Sequence, residues 1–129
     1  MKRPHLKRLG LTCAIGAAAL IAIPVTSAKD GDVLVRGACT KASSSKLKLS
    51  EEDGRIEVEF EVDQNRNGVR WTVVLRRPAT VLVRTTRVTR GPSGSFELRR
   101  VVADLAGADR ITARATSPSG EVCRATAAF

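Results

Sequence analysis

From residue 33 onward, apolar and polar side chains alternate along this chain. The clearest stretch is Arg55-Ile56-Glu57-Val58-Glu59-Phe60-Glu61-Val62-Asp63, with apolar side chains at every second position and acids between them. A period of two sends one set to each face of a strand, so the run predicts a strand with one buried and one wet side. In the next run Val69, Trp71, Val73 and Leu75 alternate with Arg70, Thr72 and Val74. Asn67-Gly68 just before it is a turn signal, and the two runs are expected to form a hairpin. Upstream, Val33, Val35 and Cys39 are expected to share one face and Leu47 and Leu49 another, with Asp53-Gly54 turning the chain into the acidic run. Downstream, less regular runs at 80–89 and 95–102 flank Gly91-Pro92-Ser93-Gly94. Ile111, Ala113 and Ala115 then alternate with Thr112, Arg114 and Thr116, Ser117-Pro118-Ser119-Gly120 turns the chain, and Cys123, Ala125, Ala127 and Phe129 close it.

Seven or eight short strands with turns between them predict an all-β sandwich, with a closed barrel as the architectural rival. Trp71, Phe60, Phe96 and Phe129 fall at apolar positions of the alternation and are the expected core aromatics. No stretch keeps a helical period; Val101 to Gly107 has room for one turn at most.

The first 28 residues follow a different pattern. Lys2, Arg3, Lys7 and Arg8 precede an apolar run from Leu9 to Ile23, and small residues end the segment at Val25-Thr26-Ser27-Ala28. Basic end, apolar stretch and small-residue cleavage site are the order of a secretory signal peptide, expected at 1–28, which leaves one domain at 29–129. The apolar run is shorter than the roughly 20 residues that span a bilayer, so the processed chain is not expected to cross a membrane. Cys13 lies inside the apolar run, away from the cleavage point that a lipid anchor would use. Export places the product in an oxidising, extracytoplasmic space, either the cell envelope or the medium. The two remaining cysteines, Cys39 and Cys123, then have a forced connectivity. Closing so long a loop stabilises a fold by ~4.5 kcal/mol in the chain-entropy model.

A resemblance follows from the last third of the chain. Gly94-Ser95-Phe96, Ala106-Gly107-Ala108-Asp109, Ile111-Thr112-Ala113-Arg114-Ala115-Thr116 and Ser117-Pro118-Ser119-Gly120 are similar to the last three strands of bacterial immunoglobulin-like domains. The match covers about residues 91–129. The resemblance implies the sandwich fold and a spacer or adhesive role, although such domains usually occur in tandem. The Cys39 to Trp71 spacing departs from that of antibody-type domains, whose tryptophan follows the first cysteine sooner. The whole chain also resembles the small exported proteins of unassigned function common in high-GC actinobacteria.

Chemistry is constrained by absences. The only histidine, His5, lies in the signal segment, so residues 29–129 hold no Ser-His-Asp or Cys-His system and no imidazole metal ligand. Paired carboxylates are the remaining catalytic option. Glu57, Glu59 and Glu61 line the wet side of one strand, where Lys46, Lys48 and Arg70 are placed to pair with them across strands. No enzyme activity and no cofactor are expected. Asp63, Asn65 and Asn67, with Gly68, reproduce the first six positions of a calcium loop, but the twelfth position is Val74, and a hairpin turn accounts for the same residues.

Charge separates the two halves. Residues 29–63 carry six basic and nine acidic side chains; residues 64–129 carry twelve arginines and four acids. Arg76, Arg77, Arg84, Arg87, Arg90, Arg99 and Arg100 fall on the middle strands and their turns. Sharing one face, they would form a positive field for phosphate- or carboxylate-rich surface polymers; the other explanation is high-GC codon usage and protection of strand edges. Nucleic acid is not an expected partner, because stacking platforms are missing. The expected function is therefore a secreted, non-catalytic binding module that meets an anionic surface polymer or an envelope protein. A soluble carrier or inhibitor is the first alternative, and an enzyme the second.

Overall fold

A computed structural model describes residues 31–129, and the expected signal peptide at 1–28 lies outside them. The strands are β1 (Val33–Arg36), β2 (Ala38–Cys39), β3 (Ser44–Glu52), β4 (Arg55–Asp63), β5 (Arg70–Arg77), β6 (Thr80–Val88), β7 (Ser95–Ala103), β8 (Arg110–Thr116) and β9 (Val122–Ala128). They form two open antiparallel sheets, β1-β3-β4-β7 and β2-β9-β8-β5-β6, and not a closed barrel. The path runs from the β3–β4 hairpin in the first sheet to the β5–β6 hairpin in the second, back to β7, and across to the β8–β9 hairpin. Three strands (β3-β4-β7) facing four (β9-β8-β5-β6) with these crossings is the immunoglobulin-like order of a β-sandwich.

Alternation builds the core. Leu47 and Leu49 of β3, Ile56, Val58, Phe60 and Val62 of β4, and Phe96 and Leu98 of β7 point inward from the first sheet. Trp71, Val73 and Leu75 of β5 meet them from the second, with the alanines of β8 and β9. Each large side chain so buried contributes about 1.5–3 kcal/mol. Trp71 is fully buried, its ring centroid 6.0 Å from that of Phe96, and its indole Nε1–H donates to Gln64 Oε1 at 3.1 Å. Phe129 is half-buried and packs against the edge of the core. The β3–β4 register is set by a two-residue turn in which Asp53 and Gly54 both have positive φ, 47° and 75°. That is the backbone a twisted hairpin requires.

Three expectations are corrected. β4 and β5 do not form a hairpin: β4 pairs with β3 and β7, and β5 with β6 and β8. The 64–69 connection crosses between sheets because Phe60 and Trp71 must face one core from opposite sides; Gly68 N donates to Thr89 O at 2.7 Å and closes no turn onto β4. Val33, Val35 and Cys39 do not lie on one strand face. Gly37 breaks that run, sending β1 to the first sheet and β2 to the second, which raises the count from eight runs to nine strands. A Cβ on Gly37 would collide with Ser45 Oγ and lie 2.8 Å from Arg124 O, so the crossover admits only glycine. Finally, Val101 to Gly107 forms no helical turn but finishes β7 and bends away.

Cys39 and Cys123 form the disulfide, as neighbours in register on β2 and β9. The bridge lies within the second sheet and does not join the two sheets. It fastens the short N-terminal strand to β9 across a sequence separation of 84. Glu121 reinforces the same corner: buried at 3% exposure, it accepts from Lys41 N (3.1 Å), Ser43 N (3.0 Å) and Ser43 Oγ (2.6 Å).

Candidate anion-binding face

The pleat and the register together decide where each arginine points. Of the seven singled out from the sequence, Arg76 and Arg84 lie on the outer face of the second sheet. Arg77 turns to the corner, where its Nε–H donates to Asp109 Oδ1 at 3.2 Å and its guanidinium also meets Ala103 O. Arg87 stands opposite Trp71 and Arg100 opposite Val58, both at inward positions of the edge strands β6 and β7. Arg90 sits in the β6–β7 turn, and Arg99 is on the opposite face of the molecule, paired with Glu57. The structure therefore brings two of the seven together and scatters the other five.

Four arginines outside those seven complete the group. Arg70, Arg110, Arg114 and Arg124 occupy outward positions of β5, β8 and β9, because Trp71, Ile111, Ala113, Ala115, Cys123 and Ala125 take the inward ones. The outer face of the second sheet thus carries six exposed arginines. No acidic residue falls within β5, β6, β8 or β9. Among the described residues, none of the six has an ion-pair partner.

Rows of cross-strand partners define the surface. One row reads Arg84, Val74, Arg114, Arg124 across β6, β5, β8 and β9. The next reads Arg76, Thr112, Thr126, and the row on the other side Thr86, Thr72, Thr116. Two shallow depressions of about 360 Å³ each follow these rows and share Arg76, Thr112 and Arg124. Arg114 and Arg124 stand directly opposite each other, an arrangement of like charges that destabilises a sheet. Hydroxyls supply the remaining polarity; Thr112 Oγ1 and Thr126 Oγ1 are 2.9 Å apart and share one hydrogen bond, which leaves the second O–H of the pair to donate outward.

The outer face of the first sheet mixes bases with acids and pairs three of them, while Arg36 and Arg55 have no ion-pair partner among the described residues. Lys46 meets Glu61 at 3.4 Å, Lys48 meets Glu59 at 3.5 Å and Asp32 at 3.6 Å, and Arg99 meets Glu57. The hydrogen bond from Arg99 draws the Glu57 carboxyl down to about 2. Burial, then the neighbouring Glu57, pushes Glu59 up despite Lys48. The Glu59 carboxylate, against the opposing pull of burial and with help from Asp32, holds the Lys48 ammonium above its usual range. Arg70, named from sequence as a partner for these acids, is on the other sheet.

The candidate calcium residues serve a crossing loop. Asp63 Oδ1 accepts from Asn65 N at 2.9 Å, and Asn65 takes a left-handed φ of 55°. Asn67 rests against Gly91, while Thr89, exposed at only 1%, donates to Arg66 O at 2.6 Å and accepts from Val69 N at 2.9 Å. The segment is stitched to the 89–95 turn. Val74, the twelfth position of the sequence match, lies in the middle of the arginine face. Among the described residues no group of three or more His, Cys, Asp or Glu side chains is arranged to hold a metal ion.

No protein-family model matches this chain, and no curated protein matches it.

Proposed function

We propose that this chain is an exported, non-catalytic binding module that associates with an anionic polymer of the cell envelope through the outer face of its second sheet. The observation that carries the reading is the segregation of charge. One sheet interleaves its bases with acids and pairs Lys46, Lys48 and Arg99 with them, and the other presents six arginines with no carboxylate among them. Codon usage supplies arginines to both sheets and does not account for the absence of acids from the strands of one. Such a face raises the local concentration of polyanions and binds phosphate or carboxylate groups bidentately. The Cys39–Cys123 disulfide is compatible with an extracytoplasmic location. A soluble carrier needs an apolar cavity between the sheets, and Trp71, Phe60 and Leu98 occupy that space.

The test is co-sedimentation of the oxidised protein with washed envelopes across a salt series, beside the Arg114→Gln/Arg124→Gln variant. Binding that falls with salt and is weakened in the variant supports the reading. Equal pelleting of both proteins, or none at any salt, removes it.

A further inference from the structure

The arrangement of the arginines also constrains the shape and chemistry of the ligand. Resting on the binding reading above, we infer that the ligand is a linear phosphodiester chain with short aliphatic linkers, lying across the strands along Arg84, Arg76, Arg114 and Arg124.

Direction comes from charge density. Adjacent strands are about 4.8 Å apart, and residues along one strand advance about 3.4 Å. Crossing β6, β5, β8 and β9 meets one arginine on each strand within two neighbouring rows. Following a single strand meets at most two: β6 and β9 each present one outward arginine, the two of β5, Arg70 and Arg76, are six residues apart, and the two of β8, Arg110 and Arg114, are four residues apart, roughly 13 Å. The dense line of positive charge therefore runs perpendicular to the strands, across the depression lined by Arg84, Val74, Arg114 and Arg124.

Chemistry comes from what lies between the arginines. Val74 separates Arg84 from Arg114 in the same row, with Thr72 and Thr112 in the rows on either side of it. Charge, apolar spacer, charge is the complement of a polymer that alternates anionic groups with hydrocarbon linkers. Each phosphodiester offers two free oxygens, enough for a guanidinium fork, and further acceptor capacity for a neighbouring threonine hydroxyl. An isolated anion reaches at most the opposed Arg114 and Arg124, whereas a chain spanning all four also engages Arg84 and Arg76.

The experiment measures binding of the oxidised protein to synthetic glycerol phosphate oligomers of one, two, four and eight repeats, with polyglutamate of matched length as the carboxylate control. Expected are a rise in affinity of ~30-fold or more between one and four phosphates, little further gain at eight, and a plot of log affinity against log salt with a slope near −3. Arg76→Gln, Arg84→Gln, Arg114→Gln and Arg124→Gln should each reduce the slope by about 0.7, while Arg70→Gln, on the same face but off the line, should reduce it by less than half as much. Thermal unfolding of each variant confirms that the fold is intact. Affinity that saturates at one phosphate, or an Arg70→Gln loss equal to that of Arg114→Gln, overturns the cross-strand path while the polyanion reading stands. Equal binding of polyglutamate overturns the phosphodiester assignment alone, and no binding to any polymer overturns both.

Discussion

Arg114 on β8 and Arg124 on β9 stand in register on the same outward face, two like charges held side by side by the β8–β9 hairpin. Opposed like charges in a sheet cost about 0.2–1 kcal/mol. Arg124→Glu should therefore raise the stability of the isolated protein by about that amount while lowering its affinity for polyanions. Chemical denaturation paired with a binding assay checks both signs; a variant less stable than the parent would show that the opposition costs nothing.

Acid should weaken the fold through two carboxyls. Burial opposes ionisation of Asp109, but the hydrogen bond from Leu105 N at 2.7 Å and the Arg77 guanidinium outweigh it and hold its pKa below the usual value; Arg99 holds Glu57 at about 2. A carboxyl depressed in the fold adds stability that is fully present above its unfolded pKa and is lost as pH falls through its folded one. Unfolding midpoints should thus fall between about pH 4.5 and pH 2, softened by Glu59, which is shifted the other way. The Glu57→Gln/Asp109→Asn variant should be less stable at neutral pH and show a flatter profile. An unchanged slope would remove these two groups as the cause.

Gly94 should not tolerate a side chain. Its φ is 70°, and a Cβ there would collide with Arg66 N and lie 2.8 Å from Asn65 C, where the β6–β7 turn packs against the 64–69 crossing. Gly94→Ala should cost more than about 2 kcal/mol, measured by denaturant unfolding, since strain and backbone collision add. By contrast, Gly120, with φ 85° and nothing near its missing Cβ, should lose only the strain portion when changed to Ala. Equal losses at the two positions would contradict the packing of the crossing loop.

Reduction of the disulfide should destabilise the sandwich by up to ~4.5 kcal/mol. It should also free β2, whose ladder with β9 comprises two residue pairs, Ala38–Arg124 and Cys39–Cys123. Hydrogen exchange should then report loss of protection at Thr40 N, which donates to Val122 O, before loss at Trp71 in the core. Simultaneous loss at both would mean that the staple supports the whole fold and not one edge.

The strands were legible because alternation is local. The run Arg55–Asp63 is β4 from end to end, and the inward Trp71 and Phe60 followed from parity alone. Pairing was not legible in the same way. A short connection containing Asn67-Gly68 fits either a hairpin or a crossing, and the choice depends on Thr89, distant in sequence, which receives the loop. The arginine face lay in between. Parity places Arg110, Arg114 and Arg124 outward opposite a row of alanines, but counting arginines by region drew attention to Arg99 and Arg100, which register sends to the opposite face and to an inward edge position. Glu121 gave no signal at all, since its backbone and hydroxyl partners come from a loop about eighty residues earlier.

The central claim is that an uncompensated arginine face on the second sheet holds a polyanion. The most direct measurement is the salt dependence of binding to one defined anionic polymer, for the parent protein and for Arg76→Gln/Arg84→Gln/Arg114→Gln/Arg124→Gln. Affinity that falls steeply with salt in the parent and becomes weak and salt-insensitive in the variant is the predicted result. The same affinity and the same slope in both proteins would contradict the assignment of this face.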